Sequence, residues 1–447
     1  MNALLLRFFQ VLRELRAANR ANVTVTFALA SLPLVSFVGA AVDYSNANSV
    51  KTALQVATDS TALMLSKTAA SMTSSQLQTQ ADNYVKALFN RPEASSLTVT
   101  ATYSTSGGSQ VLLSARASVK ANFMSVFGVG TMTTGATSEV KWGNTKLRVA
   151  LVLDNTGSMA DDGKMPALIT ATKSLLSQLQ AAATNTGDVY VSVIPFVKDV
   201  NVGPSNYEAA WIDWTDWDAN NGSCSRSKYS DSQSDCEAHG KTWTPADHST
   251  WNGCVTDRGN SNGPAAGAYD TNVTTPSINN VPTLYPAEQY ASCPAAAIMA
   301  LNYDWSSMTS LVNRMSPNGN TNQAIGLQLG WQSLVGGGPF PSPPAMDPNY
   351  KYSQVIILLT DGLNTQDRWY TSQTSIDNRQ ALTCANAKAA GITLYTVQVN
   401  TGGDPTSTLL KNCASDSSKF FLLTTANQIV TTFNQIGTAL SNLRIAM

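Results

Sequence analysis

Five oxygen-bearing side chains, spread over three places, are the residues of this chain whose types and spacing could do chemistry. Asp154, Thr156 and Ser158 stand in the run Asp154-Asn155-Thr156-Gly157-Ser158, Thr321 stands in Gly319-Asn320-Thr321-Asn322, and Asp361 follows Thr360 and precedes Gly362. Carboxylates and hydroxyls are hard donors, which suit a magnesium-like cation rather than zinc, whose preference is for nitrogen and sulfur. Each piece also has a plainer reading. Asp, Asn, Thr, Gly and Ser make ordinary strand-to-helix turns and N-caps, so Thr321 could be a cap and Asp361 a turn residue.

Other chemistries find less support. Ser158 and Thr156 have no histidine placed to act as a base, since the only two, His239 and His248, lie in a polar loop and read as surface residues. No HExxH and no GxxxxGK[ST] occurs, which removes zinc-peptidase and P-loop chemistry. The expectation is a protein that is not an enzyme, although a carboxylate-bound magnesium can in principle assist hydrolysis.

The elements that must position these residues are legible around them. Val149 to Leu153 is a short, β-branched apolar run ending at Asp154, as a buried parallel strand would. Val355 to Leu359 is a second, ending just before Asp361. From Lys146 onward, strands and helices alternate: helices at about 166–182, 305–314, 322–334, 378–390 and 426–443, and strands at 189–196, 393–399 and 419–423. That alternation is the pattern of an open, mostly parallel sheet with helices on both faces. The carboxyl ends of its strands line one crevice, where the three loops can meet.

Residues 204–295 interrupt the alternation with four cysteines and Trp211, Trp214, Trp217, Trp243 and Trp251. A connection this long is expected to be an irregular subdomain stapled by disulfides. Its tryptophans form either a small core or an aromatic binding surface. Cys384 and Cys413 fall on neighbouring late elements and are expected to pair. The other four cysteines, Cys224, Cys236, Cys254 and Cys293, pair inside the insert with connectivity open. An even count of six, without a close CxxC, points to an oxidising compartment.

The amino terminus agrees with export. Arg7, Arg13, Arg16 and Arg20 face only Glu14, and Val23 to Val42 then runs without a charged side chain. The run is long enough to cross a hydrocarbon core as a helix, with the arginines on the cytoplasmic side and the bulk of the chain beyond the membrane. A cleaved signal peptide is the competing reading, with a shorter apolar core and a small-x-small cleavage site. From Asp43 to about Asn90 an amphipathic continuation of the helix is expected, closed by Pro92, with strands at 97–103, 110–119 and 133–142 forming a small antiparallel sheet. A formal net charge of -1, with no basic field, leaves nucleic acid without support as a partner.

The runs DNTGS, GNTNQ and LLTDG together resemble the metal-ion-dependent adhesion site of the von Willebrand factor A domain: Asp-x-Ser-x-Ser after the first strand, a distant Thr before a helix, and an Asp after the fourth strand. Thr156 stands where the first serine is usual and retains its hydroxyl. The resemblance covers about 146–445 outside the insert. It implies a divalent cation, Mg2+ or alternatively Mn2+ or Ca2+, held by Ser158 with Thr156 or Thr321, with Asp154 and Asp361 bound directly or through water. An open position would accept a carboxylate from a partner protein.

The amino-terminal stretches Asn22 to Leu29 and Gly39 to Ser45 resemble TadG-like pilus-assembly proteins of the bacterial Tad/Flp system, which join such an anchor to a von Willebrand A domain. Related pseudopilins carry a glutamate beside a prepilin-peptidase site. Thr26 occupies that place here, so the resemblance does not extend to cleavage or polymerisation. The expected organisation is a basic cytoplasmic segment (1–22), a transmembrane helix (23–42), an extracytoplasmic helix with a small pilin-like β-sheet region (43–145), and a von Willebrand A domain (146–445) with the Cys/Trp-rich insert at 204–295. The implied function is pilus assembly or adhesion, from the bacterial inner membrane into the periplasm or at the cell surface, through contact with pilus components. An envelope docking protein for a non-pilus complex and a metal-dependent hydrolase are the alternatives.

Overall fold

The structure is a computed structural model that describes residues 21–105, 108–142, 145–183, 185–260 and 268–445. The arginines expected on the cytoplasmic side therefore lie outside the described residues. The chain divides into two compact units, with the boundary in sequence after Trp142.

In the first unit, helix α1 (Ala21–Ser66) runs unbroken through Pro33. Its early side chains, Val23, Phe27, Leu32, Val35 and Phe37 among them, are exposed, whereas Val50, Leu54, Ala57 and Leu65 are buried. By length and composition the described part of this helix is apolar enough to cross a membrane. One continuous helix to Asn90 was the expectation, and the structure corrects it. The chain breaks after Ser66 and restarts as α2 (Ser74–Leu88). A capping box sets the restart: Thr73 Oγ1 accepts from the Gln76 N–H, and Gln76 Oε1 accepts from the Thr73 N–H at 2.9 Å. Both helices share one core with an antiparallel sheet of β1 (Ala94–Ser104), β2 (Ser109–Lys120) and β3 (Thr131–Trp142), in that order. Strand β2 alternates Val111, Leu113, Ala115, Ala117 and Val119 into that core, as the period-2 geometry of a strand requires.

The second unit is built on a six-stranded sheet. In chain order its strands are β4 (Thr145–Asp154), β5 (Val189–Phe196), β6 (Met299–Asn302), β7 (Lys351–Thr360), β8 (Thr393–Val399) and β9 (Phe420–Leu423). Across the sheet the order is β6-β5-β4-β7-β8-β9, and every pairing is parallel except that of β6 with β5. Edge strand β6, half-buried and only four residues long, was not anticipated from sequence. Central β4 is buried on both faces. Leu147, Val149, Leu151 and Leu153 feed one core, and Ala150 and Val152 the other.

The first of these cores is covered by α3 (Lys164–Ala182), α4 (Trp305–Val312) and the later helix α8 (Asn427–Ile445). The second is covered by α5 (Gln323–Val335), α6 (Gln373–Ala389) and α7 (Thr408–Cys413). Helix α5 is buried nearly all round and lies so close to the sheet that two of its positions must lack a side chain. A Cβ on Gly330 would stand 2.5 Å from Val152 Cγ2, and one on Gly326 would stand 2.7 Å from Phe196 Cδ1.

The insert adds a small sheet in which its strands Cys254–Val255, Tyr285–Glu288 and Ile212–Asp213 join Val200–Asn201, just ahead of it. Disulfides Cys224–Cys236 and Cys254–Cys293 staple it, while Cys384–Cys413 joins α6 to α7 as expected. Trp217 and Trp251 are buried, and Trp214 meets both edge-on at 5.3 and 5.4 Å. Trp217 and Trp251 belong to the second core and the half-buried Trp214 packs against it, so these three serve packing.

Candidate metal centre

Strand β4 ends at Asp154 with its carboxylate turned back on its own loop. Oδ1 accepts from the Thr156 N–H at 2.7 Å, and Oδ2 accepts from the Thr360 hydroxyl, at the end of β7, at 2.6 Å. Thr156 Oγ1 and Ser158 Oγ lie 3.2 Å apart, and Ser158 donates to Asp361 Oδ1 at 2.6 Å. Two strand ends, adjacent in the sheet, thus bring Asp154, Thr156, Ser158 and Asp361 into one hydrogen-bonded group.

Thr321 reaches the same edge by its backbone. The Gly157 N–H donates to the Gly319 carbonyl at 3.0 Å, and the Asn318 N–H to the Asn155 carbonyl at 2.8 Å, which seats the Gly319 loop on the DNTGS loop. The Thr321 N–H donates to Thr365 Oγ1 at 2.8 Å. Among the described residues its hydroxyl makes no hydrogen bond to the other four. The cap reading of Thr321 fails on a different ground: the N-cap of α5 is Asn322, whose side chain accepts from the Ala324 and Ile325 N–H groups.

Two participants escaped sequence reasoning. Thr360, the residue before Asp361 in LLTDG, fixes Asp154. Lys164, at the start of α3, places Nζ 2.6 Å from Asp361 Oδ2 and is itself buried. The Thr-Asp-Gly run advertised the first. Nothing local advertised the second, because a lysine ten residues beyond Asp154 reads as an ordinary helix-start residue.

The chemistry of this donor set fits a hard divalent cation. All its donors are oxygen, two of them carboxylates in a dry setting, and Asp154 is pushed up to about 7 first by burial and second by the nearby Asp361 charge. A cation would relieve both costs. Beside it, the Asn155 amide is fully buried with neither polar atom hydrogen-bonded within the protein, an orphan of the kind that a ligand or water satisfies. Lys164 pulls the other way, since its ammonium already answers one of the two carboxylates. Among the described residues no three His, Cys, Asp or Glu side chains gather as metal ligands, because only two members of this donor group are carboxylates and the rest are hydroxyls.

Residues 21–67 match the family model described as Tad, putative Flp pilus-assembly TadE/G-like. The chain thus carries a TadE/G-like segment at its amino-terminal end, joined to a doubly wound α/β unit with the strand order and strand-end loops described above. No curated protein sequence matches the chain. Among solved structures, the chain is similar to the pilus adhesin SpaC from Lactobacillus rhamnosus GG at 13% identity and a TM-score of 0.38, over 79% of this chain and 34% of that one. It is also similar to the vWF domain of the type V pili tip protein Mfa5 from Porphyromonas gingivalis, at 10% identity and a TM-score of 0.37, over 69% of this chain and 98% of that one. The adhesive tip pilin GBS104 from Group B Streptococcus agalactiae gives 9% identity and a TM-score of 0.34, over 77% and 68%. The chain spans about a third of the length of SpaC.

Proposed function

We propose that this chain is a membrane-anchored, extracytoplasmic component of a Tad/Flp-type pilus system, acting in assembly or adhesion by docking a partner protein at the β4–β7 strand ends. The basic segment 1–22 stays in the cytoplasm, 23–42 spans the inner membrane, and 43–145 and the von Willebrand A domain 146–445 lie outside. The observation that carries the reading is the joining, on one chain, of a TadE/G-like apolar segment to a strand-end cluster of Asp154, Thr156, Ser158 and Asp361.

In this reading Asp154, Thr156, Ser158, Thr321 and Asp361 hold Mg2+, or Mn2+ or Ca2+, directly or through water. Such an ion, when bound, would supply an electrophilic position for an acidic side chain of the partner. The chain's own part is to hold the donors. Thr360 orients Asp154, Ser158 orients Asp361, and the Gly319 loop closes on Gly157. Catalysis has less behind it: neither histidine reaches Ser158, since His239 bonds the Asp235 carbonyl and His248 bonds Asp218.

Asp154→Ala tests the proposal in cells that carry the pilus genes. Loss of piliation or surface attachment, with the variant still folded and membrane-bound, is the expected outcome. Unchanged piliation and attachment would sink it. The Lys164–Asp361 ion pair favours a second reading, in which the ammonium is the resident cation and the cluster is a metal-free structural node. That reading expects divalent ions to leave stability unchanged.

A further inference from the structure

The β2–β3 loop of the first unit, Ala121 to Gly130, has no charged side chain, and the chain carries none from there until Glu139. Four of its apolar residues face outward: Val126 is 81% exposed, Phe127 65% and Phe123 47%, with Val129 also exposed. A loop tip of this composition, left exposed among the described residues, is the opposite of what a water-facing turn would carry.

Two contacts fix where that loop sits along α1. The Asp43 carboxylate, buried, accepts the Asn122, Phe123 and Met124 N–H groups at 3.1, 2.8 and 2.7 Å. Those bonds, the one from Met124 foremost, hold its pKa below the usual carboxylate value, so it stays ionised. One turn earlier, Phe123 lies directly on Gly39, where an added Cβ would stand 2.6 Å from Phe123 Cβ. Gly39 belongs to the uncharged run that ends at Val42, and it lies about 6 Å up the helix from Asp43. The loop is therefore pinned across the end of the apolar run. Val35, Phe37, Val38 and Val42 of the same run are exposed as well.

We propose that the 121–130 loop is a second membrane contact, inserting Val126, Phe127 and Phe123 into the outer-leaflet interface beside the anchor helix. This rests on the reading of 23–42 as a membrane span. The occupant is lipid, because the loop is tied to α1 within the stretch that lipid would surround. Interfacial segments of this kind bury their apolar side chains roughly 5–10 Å into the headgroup and acyl boundary. With Asp43 as the ionised pin at the water side, the loop would fix the depth and rotation of α1, which a bare apolar helix leaves free.

All six cysteines are in disulfides, so a single introduced thiol labels uniquely. The full chain would be placed in nanodiscs of anionic and zwitterionic lipid with a nitroxide at Val126→Cys, or at Phe37→Cys in a second sample. Spin relaxation by oxygen, which enters lipid, is compared with relaxation by a water-soluble nickel chelate. The expected result is both labels relaxed by oxygen over nickel, with Val126→Cys the shallower. Phe37→Cys in lipid but Val126→Cys relaxed by nickel would overturn the loop proposal and leave the anchor standing. Both labels in water would overturn the anchor reading and the loop with it. A Val126→Cys label shielded from both reagents would mean a protein partner or second copy covers the loop, and would also overturn the proposal. Gly39→Val, which cannot accept Phe123 in place, is expected to move the Val126→Cys label toward nickel while the Phe37→Cys label stays in lipid.

Discussion

Lys164 is the residue on which the candidate site turns. Its ammonium lies against Asp361 while Asp154, one strand away, has only hydroxyl and amide partners. If the cluster holds a divalent ion, lysine and metal compete for the same carboxylate, and removing the ammonium strengthens the metal. Lys164→Met is therefore expected to lower the magnesium concentration needed for half-saturation, read by calorimetric titration. An unchanged or weakened response would show that the lysine supports the site rather than opposing it.

A second residue carries a pH signature that does not involve the cluster. Asp257 is buried, accepting from the Asn322 amide at 2.7 Å, and its pKa is pushed up to about 7, by burial first and then by Asp367 and Asp270. In the unfolded chain an Asp titrates near 3.9. Folding therefore favours the protonated form. The associated stability is fully present below about pH 4, and it is lost as pH rises through the folded value. Asp257→Asn is expected to flatten the fall in urea midpoint between pH 5 and pH 7, whereas a parallel curve would show that Asp257 does not titrate in that window.

At the scale of elements, the sequence carried most where period and length agreed. The apolar runs at 149–153 and 355–359 fall in the carboxyl-terminal halves of β4 and β7, and the 393–399 strand is observed with the same bounds. The break after Ser66 was missed because helical periodicity continues across it. The Thr73-x-x-Gln76 capping box, a local signal, marked the true restart. Strand β6 was illegible for a different reason: four half-buried residues at an edge carry too little pattern to stand out from a loop. Of the site, the oxygen donors were readable as types and spacing. Lys164 was not, because its role comes from the approach of α3 to the end of β7, which no local pattern encodes.

The Cys384–Cys413 bridge is the element-scale feature with the largest expected effect. It ties α6 to α7 at the second core, with both cysteines buried. Removing such a bridge typically costs about 2–5 kcal/mol. The Cys384→Ser/Cys413→Ser double variant is expected to lower the denaturant midpoint accordingly while leaving the separate insert bridges intact. No change in midpoint would mean that packing alone holds these helices.

At the scale of the whole molecule, the chain is a TadE/G-like apolar segment with a small α/β unit, followed by a doubly wound domain that keeps its polar cluster at the carboxyl ends of two neighbouring strands. The proposed docking role requires that this cluster take a divalent ion. Anything that binds the folded state alone must stabilise it, by about 2.7 kcal/mol at a hundred times the dissociation constant. The direct measurement is the thermal midpoint of the full chain in nanodiscs, with and without saturating Mg2+, for the natural protein and for Asp361→Ala. A metal-binding cluster gives a rise with Mg2+ in the natural protein and none in Asp361→Ala. No rise in the natural protein, or an equal rise in both, would contradict it.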